Sequence, residues 1–127
     1  MKRRVAREKA LQALFQIDMS DIEPEVALRN VLEEEEMDAY LQQLVLGFIE
    51  NQERIDGEIR QNLEKWSFDR LAKVDRNILR LGVYEIHFVE DVPNNVVINE
   101  AVEIAKTFGD DQSSKFINGV LSKVSQS

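Results

Sequence analysis

The start of the chain concentrates basic side chains whose type and spacing suit the binding of phosphate groups. The five of them within the first nine residues are Lys2, Arg3, Arg4, Arg7 and Lys9. A single glutamate opposes them, whereas the rest of the 127-residue chain is acidic enough to bring the net charge to −8. Local positive charge on an acidic protein is typical of a segment that grips a polyanion at one place and repels it elsewhere. Nucleic acid is therefore the first candidate ligand.

Helix physics favours this interpretation over one in which these are ordinary solvated residues. From Val5 onward the apolar spacing predicts an amphipathic helix, which places the arginines on its first turns. Cations there oppose the helix macrodipole at a cost of about 0.3 to 1 kcal/mol each. Arg3 and Arg7 also share a face at i, i+4, where like charges repel. An anionic ligand would reverse both penalties.

The remaining elements that must position this start are all predicted to be helices. Every strongly periodic segment has helical spacing, and no alternating run is long enough for a convincing strand. The 127 residues, 43% of them apolar, suit one domain with its own core. We therefore predict a single all-α domain over residues 1–127 with about seven helices. The fifth, from about 69 to 88, has apolar residues on two sides, as a central helix would.

Proline and capping residues predict the boundaries in the first half of the chain. The second helix is expected to open at Pro24, a favoured first-turn residue, and to end in the acidic residues 33–36. Asp38 is the predicted N-cap of the third helix. A fourth helix is expected to finish near Trp66, close to the start of the central helix.

In the second half, short polar side chains are the candidate N-caps. Asn94 or Asn95 would cap the sixth helix, and Asp110 or Asp111 the seventh. The polar residues 125–127 are expected to fray.

Composition excludes several classes of function. The chain has no cysteine and one histidine, His87, so disulfides, thiolate sites and paired-histidine metal sites are excluded. Residues 33–36 are better explained as a solvated face than as an acid/base pair. Neither a dinucleotide glycine fingerprint nor a P-loop occurs. We expect no cofactor and no enzymatic activity.

The distribution of apolar residues along the sequence predicts a cytoplasmic protein. No apolar run approaches the ~20 residues of a membrane span. The segment after the basic start is amphipathic, whereas a secretory signal needs a continuous apolar core.

Two further groups of basic residues are candidates for contact with a ligand or partner. Lys73, Arg76 and Arg80 line one side of the central helix. The simpler interpretation is a solvated face whose basic groups pair with Asp69, Asp75 and Glu85, although such a stripe can also serve a protein partner.

The other group lies around the turn between the sixth and seventh helices. It contains Lys106, Lys115 and Phe116. Phe116 is either a core residue or, if exposed beside the lysines, a ring on which an unpaired base can stack.

Three blocks of sequence resemble the family of the bacterial transcription antitermination factor NusB. They are KRRVAREKALQALF at 2–15, VDRNILRL at 74–81, and a C-terminal block with VINEAVEIAK at 97–106, FG at 108–109 and KFINGVL at 115–121. The resemblance implies two helical bundles around a long central helix. It also implies a non-enzymatic factor that pairs with NusE, a small-subunit ribosomal protein. The heterodimer would bind single-stranded boxA RNA of ribosomal RNA leader transcripts and help RNA polymerase to read through terminators.

The same resemblance assigns roles to individual residues. The implied RNA-binding residues are Lys2, Arg3, Arg4, Arg7, Phe108, Gln112, Lys115 and Phe116. Asp69 and Asp75 resemble the acidic positions that meet NusE. Gln112 stands where some members of the family have an acidic residue, so a carboxylate contact is not expected there.

Two other functions are consistent with parts of the sequence. One is a helical protein-binding module whose basic start docks on an acidic partner, with incidental RNA contact. The other is the RNA-binding appendage of a methyltransferase, but the chain has no cofactor motif and no room for an enzyme.

Overall fold

A computed structural model describes residues 1–126 and contains seven α-helices, one short 3₁₀ helix and no strand within that range. The α-helices are α1 (Arg3–Ser20), α2 (Pro24–Leu32), α3 (Ala39–Glu50), α4 (Gln52–Gln61), α5 (Lys73–Phe88), α6 (Asn94–Phe108) and α7 (Ser113–Gln126). The 3₁₀ helix spans Phe68–Arg70 and precedes α5. The prediction of an all-α fold with about seven helices is confirmed.

Helix α5 is the centre of the fold. On one side α1, α2 and α3 pack on one another and α4 follows α3, while on the other α6 packs on α7. Five helices contact α5 directly, namely α1, α3, α4, α6 and α7. Its residues 76–85 are all buried, because apolar residues occupy two sides of the helix and polar ones find partners on its neighbours. This is the arrangement of two bundles around a central helix.

Close approach of α3 to α5 depends on a glycine. A Cβ atom added at Gly47 would lie 2.3 Å from the Tyr84 hydroxyl oxygen, far inside van der Waals contact. Neighbouring positions on α3 fill the core with large side chains, such as Leu44 and Phe48, which are almost wholly buried. This side of α3 therefore faces the core.

The predicted helix starts in the first half of the chain agree with the structure. Helix α2 opens at Pro24, and residues 33–36 follow its end. The Asp38 carboxylate accepts a hydrogen bond of 3.0 Å from the backbone N–H of Leu41, as an N-cap does.

The segment between α4 and α5 differs from the prediction. Helix α4 ends at Gln61 rather than near Trp66, and α5 begins at Lys73 rather than at 69. Phe68 and Leu71 are nevertheless buried. A 3₁₀ turn, which is tighter than an α-helix, directs these two side chains inward where a continuous helix would not.

The predicted asparagine caps of α6 are wrong. Pro93 is the N-cap residue and Asn94 is already helical, and no side-chain bond caps this helix. The carbonyl of Pro93 accepts the first helical hydrogen bonds, from Val96 and Val97, because the fixed φ of proline prepares the chain for that turn.

Before α7, Asp110 closes the turn by accepting a bond of 2.9 Å from the Gln112 N–H. Its carboxylate also accepts a bond from the Ser113 hydroxyl. Ser125 and Gln126 form the last residues of α7, and Ser127 lies outside the described residues. The Ser125 hydroxyl donates to the Ser122 carbonyl, which helps to hold this last turn.

The two arginines of the basic stripe of α5 are buried rather than solvated, whereas the Lys73 side chain is 40% exposed. Arg76 makes hydrogen bonds of 2.8 Å to both carboxylate oxygens of Asp18 on α1. Arg80 binds Asp56 on α4 through two bonds of 2.9 and 2.8 Å. The predicted pairing of these arginines with acidic residues 69, 75 and 85 is wrong, because α5 is covered by other helices that supply the carboxylates. The Nε2 atom of His87 lies 2.7 Å from a Glu58 oxygen on α4.

Candidate nucleic-acid interface

The basic start of the chain forms one surface at the beginning of α1. We term Lys2, Arg3, Arg4 and Arg7 the arginine face; Lys2 is the N-cap residue and the arginines follow within two turns. The first three side chains are exposed, whereas Arg7 is only 5% exposed. Arg7 therefore differs from the others in its environment.

Arg7 is held by an ion pair inside the protein. Its Nε and Nη2 atoms lie 2.7 and 2.8 Å from the two carboxylate oxygens of Glu85 on α5. The Tyr40 hydroxyl donates a bond of 2.5 Å to the same carboxylate. Burial alone would lower the pKa of Arg7, but the hydrogen bonds and charge of Glu85 raise it. Burial and this carboxylate also raise the pKa of the Tyr40 hydroxyl.

Arg4 has a carboxylate partner at the surface. Its Nε and Nη2 atoms each lie 2.6 Å from an oxygen of Glu100 on α6. The Glu100 Oε1 atom is also 3.3 Å from Arg7 Nη1, so this carboxylate joins the two arginines. Hydrogen bonding to Arg4 lowers the pKa of Glu100 and raises the pKa of Arg4.

Arg3 is engaged more loosely. Its Nη2 atom is 3.2 Å from Asp91 Oδ2, in a pair whose side chains are 45% and 69% exposed. The guanidinium also lies 4.2 Å from the centre of the Tyr40 ring, a cation–π distance. By contrast, no carboxylate of residues 1–126 lies within 4.0 Å of the Lys2 ammonium. The arginine face is therefore largely charge-balanced by acidic groups of the same protein.

A second candidate surface is a cleft of about 680 Å³ beside the start of α7. We term this the aromatic cleft, and its lining is Lys65, Trp66, Arg70, Leu71, Ala72, Asp75, Asp110, Gln112, Lys115 and Phe116. The cleft thus brings together three predicted RNA-binding residues, Gln112, Lys115 and Phe116. Asp75, a predicted partner-binding residue, also lines it. Two aromatic rings and three cations in one cleft suit stacking of an unpaired base near a phosphate chain.

The aromatic residues of this region differ in exposure. Trp66 is 60% exposed, and Phe116 is half-buried against the core. Phe108 is 37% exposed at the last position of α6 and does not line the cleft. It stands eight residues after Glu100 on the same helix, which corresponds to about 12 Å along the axis. Helix α6 therefore runs from the arginine face towards the aromatic cleft.

Asp75 is an acidic residue of the cleft whose hydrogen bonding is incomplete. One of its carboxylate oxygens is buried and has no hydrogen-bond partner among residues 1–126. Burial raises the pKa of the Asp75 carboxyl; a hydrogen bond with Ser113 opposes this shift, and the neighbouring Asp110 carboxylate adds to it. A donor from a partner would relieve this. Asp69, on the 3₁₀ helix, is exposed and does not line the cleft.

Several residues of these surfaces could not be identified from the sequence. Glu85, Asp91 and Glu100 balance the arginine face from positions about 80 to 100 residues away, and no local pattern marks them. The sequence marks Trp66 only as the end of a helix. Its place among polar residues, as the only tryptophan of the chain, was the one available signal of an exposed aromatic side chain.

No group of three or more metal-ligating side chains capable of holding an ion occurs among residues 1–126. In the same described range, none of the helices is both long and apolar enough to cross a membrane.

Comparison with known proteins assigns the chain to a family. The model of the NusB family matches residues 4–126, which is nearly the whole chain. The chain belongs to the NusB family. A transcription antitermination protein NusB from Bacillus licheniformis is 60% identical over 124 residues, covering 98% of this chain and 96% of the relative. One from Bacillus cereus is 58% identical over 126 residues, covering 98% and 97% of the two chains.

Solved NusB structures share the fold. T. maritima NusB superposes with a TM-score of 0.90 at 40% identity, covering 99% of this chain and 92% of that one. A chain in the crystal structure of antitermination factors NusB and NusE in complex with dsRNA gives a TM-score of 0.88 at 35% identity, covering 98% and 96%. The family resemblance inferred from the three sequence blocks is therefore confirmed.

Proposed function

We propose that this protein is a cytoplasmic transcription antitermination factor that binds single-stranded boxA RNA of ribosomal RNA operon transcripts as a heterodimer with NusE. In this role it joins the elongating RNA polymerase complex and has no catalytic step. The observation that carries the proposal is the likeness to a chain of the NusB–NusE–dsRNA complex, over nearly the whole length of both chains. Its curated relatives are named as transcription antitermination proteins.

The arginine face would bind the RNA backbone. Lys2, Arg3 and Arg4 are exposed at the start of α1, where their charges reach phosphates without rearrangement of the core. Glu100 occupies Nε and Nη2 of Arg4, while Nη1 has no hydrogen-bond partner among residues 1–126. Arg7 would act by holding the start of α1 on α5, because its guanidinium is buried against Glu85. Phosphate contacts of this kind fix register but carry no sequence information.

Sequence preference would come from the other end of α6. Phe108 and Phe116 present aromatic rings on which unpaired bases can stack, and the Gln112 amide can both donate to and accept from a base edge. Lys115 supplies a positive charge beside them and is exposed. Such contacts on splayed bases are the usual means of reading single-stranded RNA.

NusE would bind on the side marked by Asp69 and Asp75. The unpartnered oxygen of Asp75 and the exposed Trp66 ring lie in the same cleft, and both would gain from a protein partner. The Asp75 oxygen would accept a hydrogen bond from a donor of the partner, and aromatic anchors such as Trp66 contribute much of the energy of protein interfaces.

Binding of a fluorescent boxA-like RNA by the protein with NusE, over a salt series, tests the proposal. Arg4→Gln is expected to weaken binding and to flatten the log–log salt dependence by about 0.7, the value for one phosphate contact on a single strand. Arg29→Gln is the matched control, because it removes the same charge from an exposed site on α2. Equal effects of the two changes would remove Arg4 from the interface. Equal binding of boxA and shuffled RNA would favour the helical protein-interaction module.

A further inference from the structure

The carboxylate of Glu100 occupies the position where a phosphate would bind Arg4. Its two oxygens accept hydrogen bonds of 2.6 Å from Arg4 Nε and Nη2, in the bidentate geometry with which guanidinium groups also bind phosphate. Within residues 1–126, Arg4 has no other acidic partner within 4.0 Å. An RNA phosphate that takes this edge of the guanidinium must therefore displace Glu100.

The environments of the two arginines joined by Glu100 show which bond can be exchanged. Arg7 is buried and also bound through two bonds to Glu85, so it is held without Glu100. The Arg4 side chain is 45% exposed and that of Glu100 is 20% exposed. Water and salt screen ion pairs that reach the surface, and this pair is open to solvent on its Arg4 side. The Arg4–Glu100 pair is therefore the one that a polyanion can open.

Asp91 stands in the same relation to Arg3. The pair has a single contact of 3.2 Å, and both side chains are substantially exposed. Together, Glu100 and Asp91 neutralise the two exposed arginines of the face and leave Lys2 without an acidic partner in the described part of the chain. The free protein thus presents a weaker positive surface than its first nine residues suggest.

We propose that Glu100 is an internal competitor for RNA phosphate, which occupies Arg4 in the free protein and lowers its affinity for single-stranded RNA. The inference rests on the proposed function, since it concerns the same surface. Because the competition acts on a phosphate contact, it weakens binding of every RNA by a similar factor and leaves base selection to the aromatic end of α6. Asp91 acts in the same way on Arg3, with a smaller effect.

The test compares RNA affinity of the wild type and Glu100→Gln by fluorescence anisotropy at low salt, with boxA-like and shuffled RNA. Glutamine has the same shape but no charge, so Arg4 is released. Affinity for both RNAs is expected to rise about two- to fivefold, the range that corresponds to loss of a surface ion pair. The salt dependence should change by much less than the roughly 0.7 of one phosphate contact, because Arg4 contacts the same phosphate in both proteins.

Two controls distinguish the release of Arg4 from the effect of a change in net charge. Glu34→Gln makes the same change of net charge at an exposed site with no basic group within 4.0 Å among residues 1–126, and it should leave affinity nearly unchanged. In an Arg4→Gln background, Glu100→Gln should give no gain, since the competed group is absent. If Glu100→Gln does not fold, Asp91→Asn tests the same mechanism through Arg3.

Each result has a definite meaning. Unchanged or weaker RNA binding by a folded Glu100→Gln protein would overturn the inference and make Glu100 a residue that positions Arg4. A gain that persists without Arg4 would overturn it as well. If the wild type binds neither RNA, with or without NusE, then the proposed function itself fails and the inference falls with it.

Discussion

Replacement of Arg7 by methionine should destabilise the protein strongly, although it lies in a segment that would otherwise be interpreted as a ligand-binding tail. Arg7 and Glu85 are only 5% and 2% exposed, and two hydrogen bonds join them. Removing one partner of a buried pair typically costs about 3 to 5 kcal/mol, because the other charge is left without compensation. Tyr40 still donates to Glu85, so we expect the lower end, about 3 kcal/mol.

Urea denaturation and thermal melting provide the assay. For a domain of this size, a loss of about 3 kcal/mol corresponds to a fall in Tm of roughly 10 °C. Arg4→Met is the matched control, one turn away in an exposed pair, and should cost no more than about 1 kcal/mol. The double variant Arg7→Met/Glu85→Leu should recover most of the loss, because it leaves no buried charge unpaired.

One outcome would refute this reasoning. If Arg7→Met were as stable as Arg4→Met and lost RNA binding, Arg7 would be a direct contact with RNA rather than a residue that fixes α1 on α5. The salt dependence of RNA binding provides a second check, since removal of a buried residue should leave its slope unchanged.

Three further perturbations test the fold and its electrostatics. Burial alone would raise the pKa of Asp18, but hydrogen bonds from Arg76 and Asn77 lower it. The Asp18 carboxylate therefore stabilises the fold above the unfolded-state pKa, which is about 4, and this contribution is lost as the pH falls through the lower folded-state pKa. Asp18→Asn should thus flatten the loss of unfolding free energy between pH 6 and pH 3, and an unaltered slope would contradict this. Burial raises the pKa of Asp75, so ionisation of this group at pH 7 disfavours the folded state. Asp75→Asn should therefore raise Tm at pH 7 and weaken NusE binding. A lower Tm would contradict this expectation. Gly47→Ala should lower the free energy of unfolding by about 1 to 3 kcal/mol, because the added methyl group collides with the Tyr84 ring. Gly57→Ala meets no atom within 4 Å and should raise it by about 0.5 to 1 kcal/mol. Equal effects of the two changes in urea denaturation would contradict this.

The helical architecture could be predicted from the sequence because it depends on local patterns. Apolar spacing identified seven helices, Pro24 and Asp38 marked two of their starts correctly, and the two apolar sides of the fifth helix predicted its central place. The predictions are wrong where contacts between side chains far apart in sequence determine the local structure. Phe68 and the chain around it form a 3₁₀ turn because of the core that it enters, and that core is not a local property.

The candidate site could be predicted only in part, for the same reason. The basic type of the first residues is visible in the sequence, and so is the aromatic and basic segment around Phe116. The partners that neutralise Arg3, Arg4 and Arg7 come from α5, α6 and the turn between them, and only the fold brings them into contact. As a result, the sequence predicted a strongly positive surface, whereas the structure has paired charges and a buried arginine.

The most direct test of the central claim is fluorescence anisotropy of a short boxA-like RNA and a shuffled RNA, with and without NusE, over a salt series. The proposed function predicts that boxA is bound more tightly than the shuffled sequence and that NusE increases the difference. Equal, weak binding of both RNAs under every condition would contradict it.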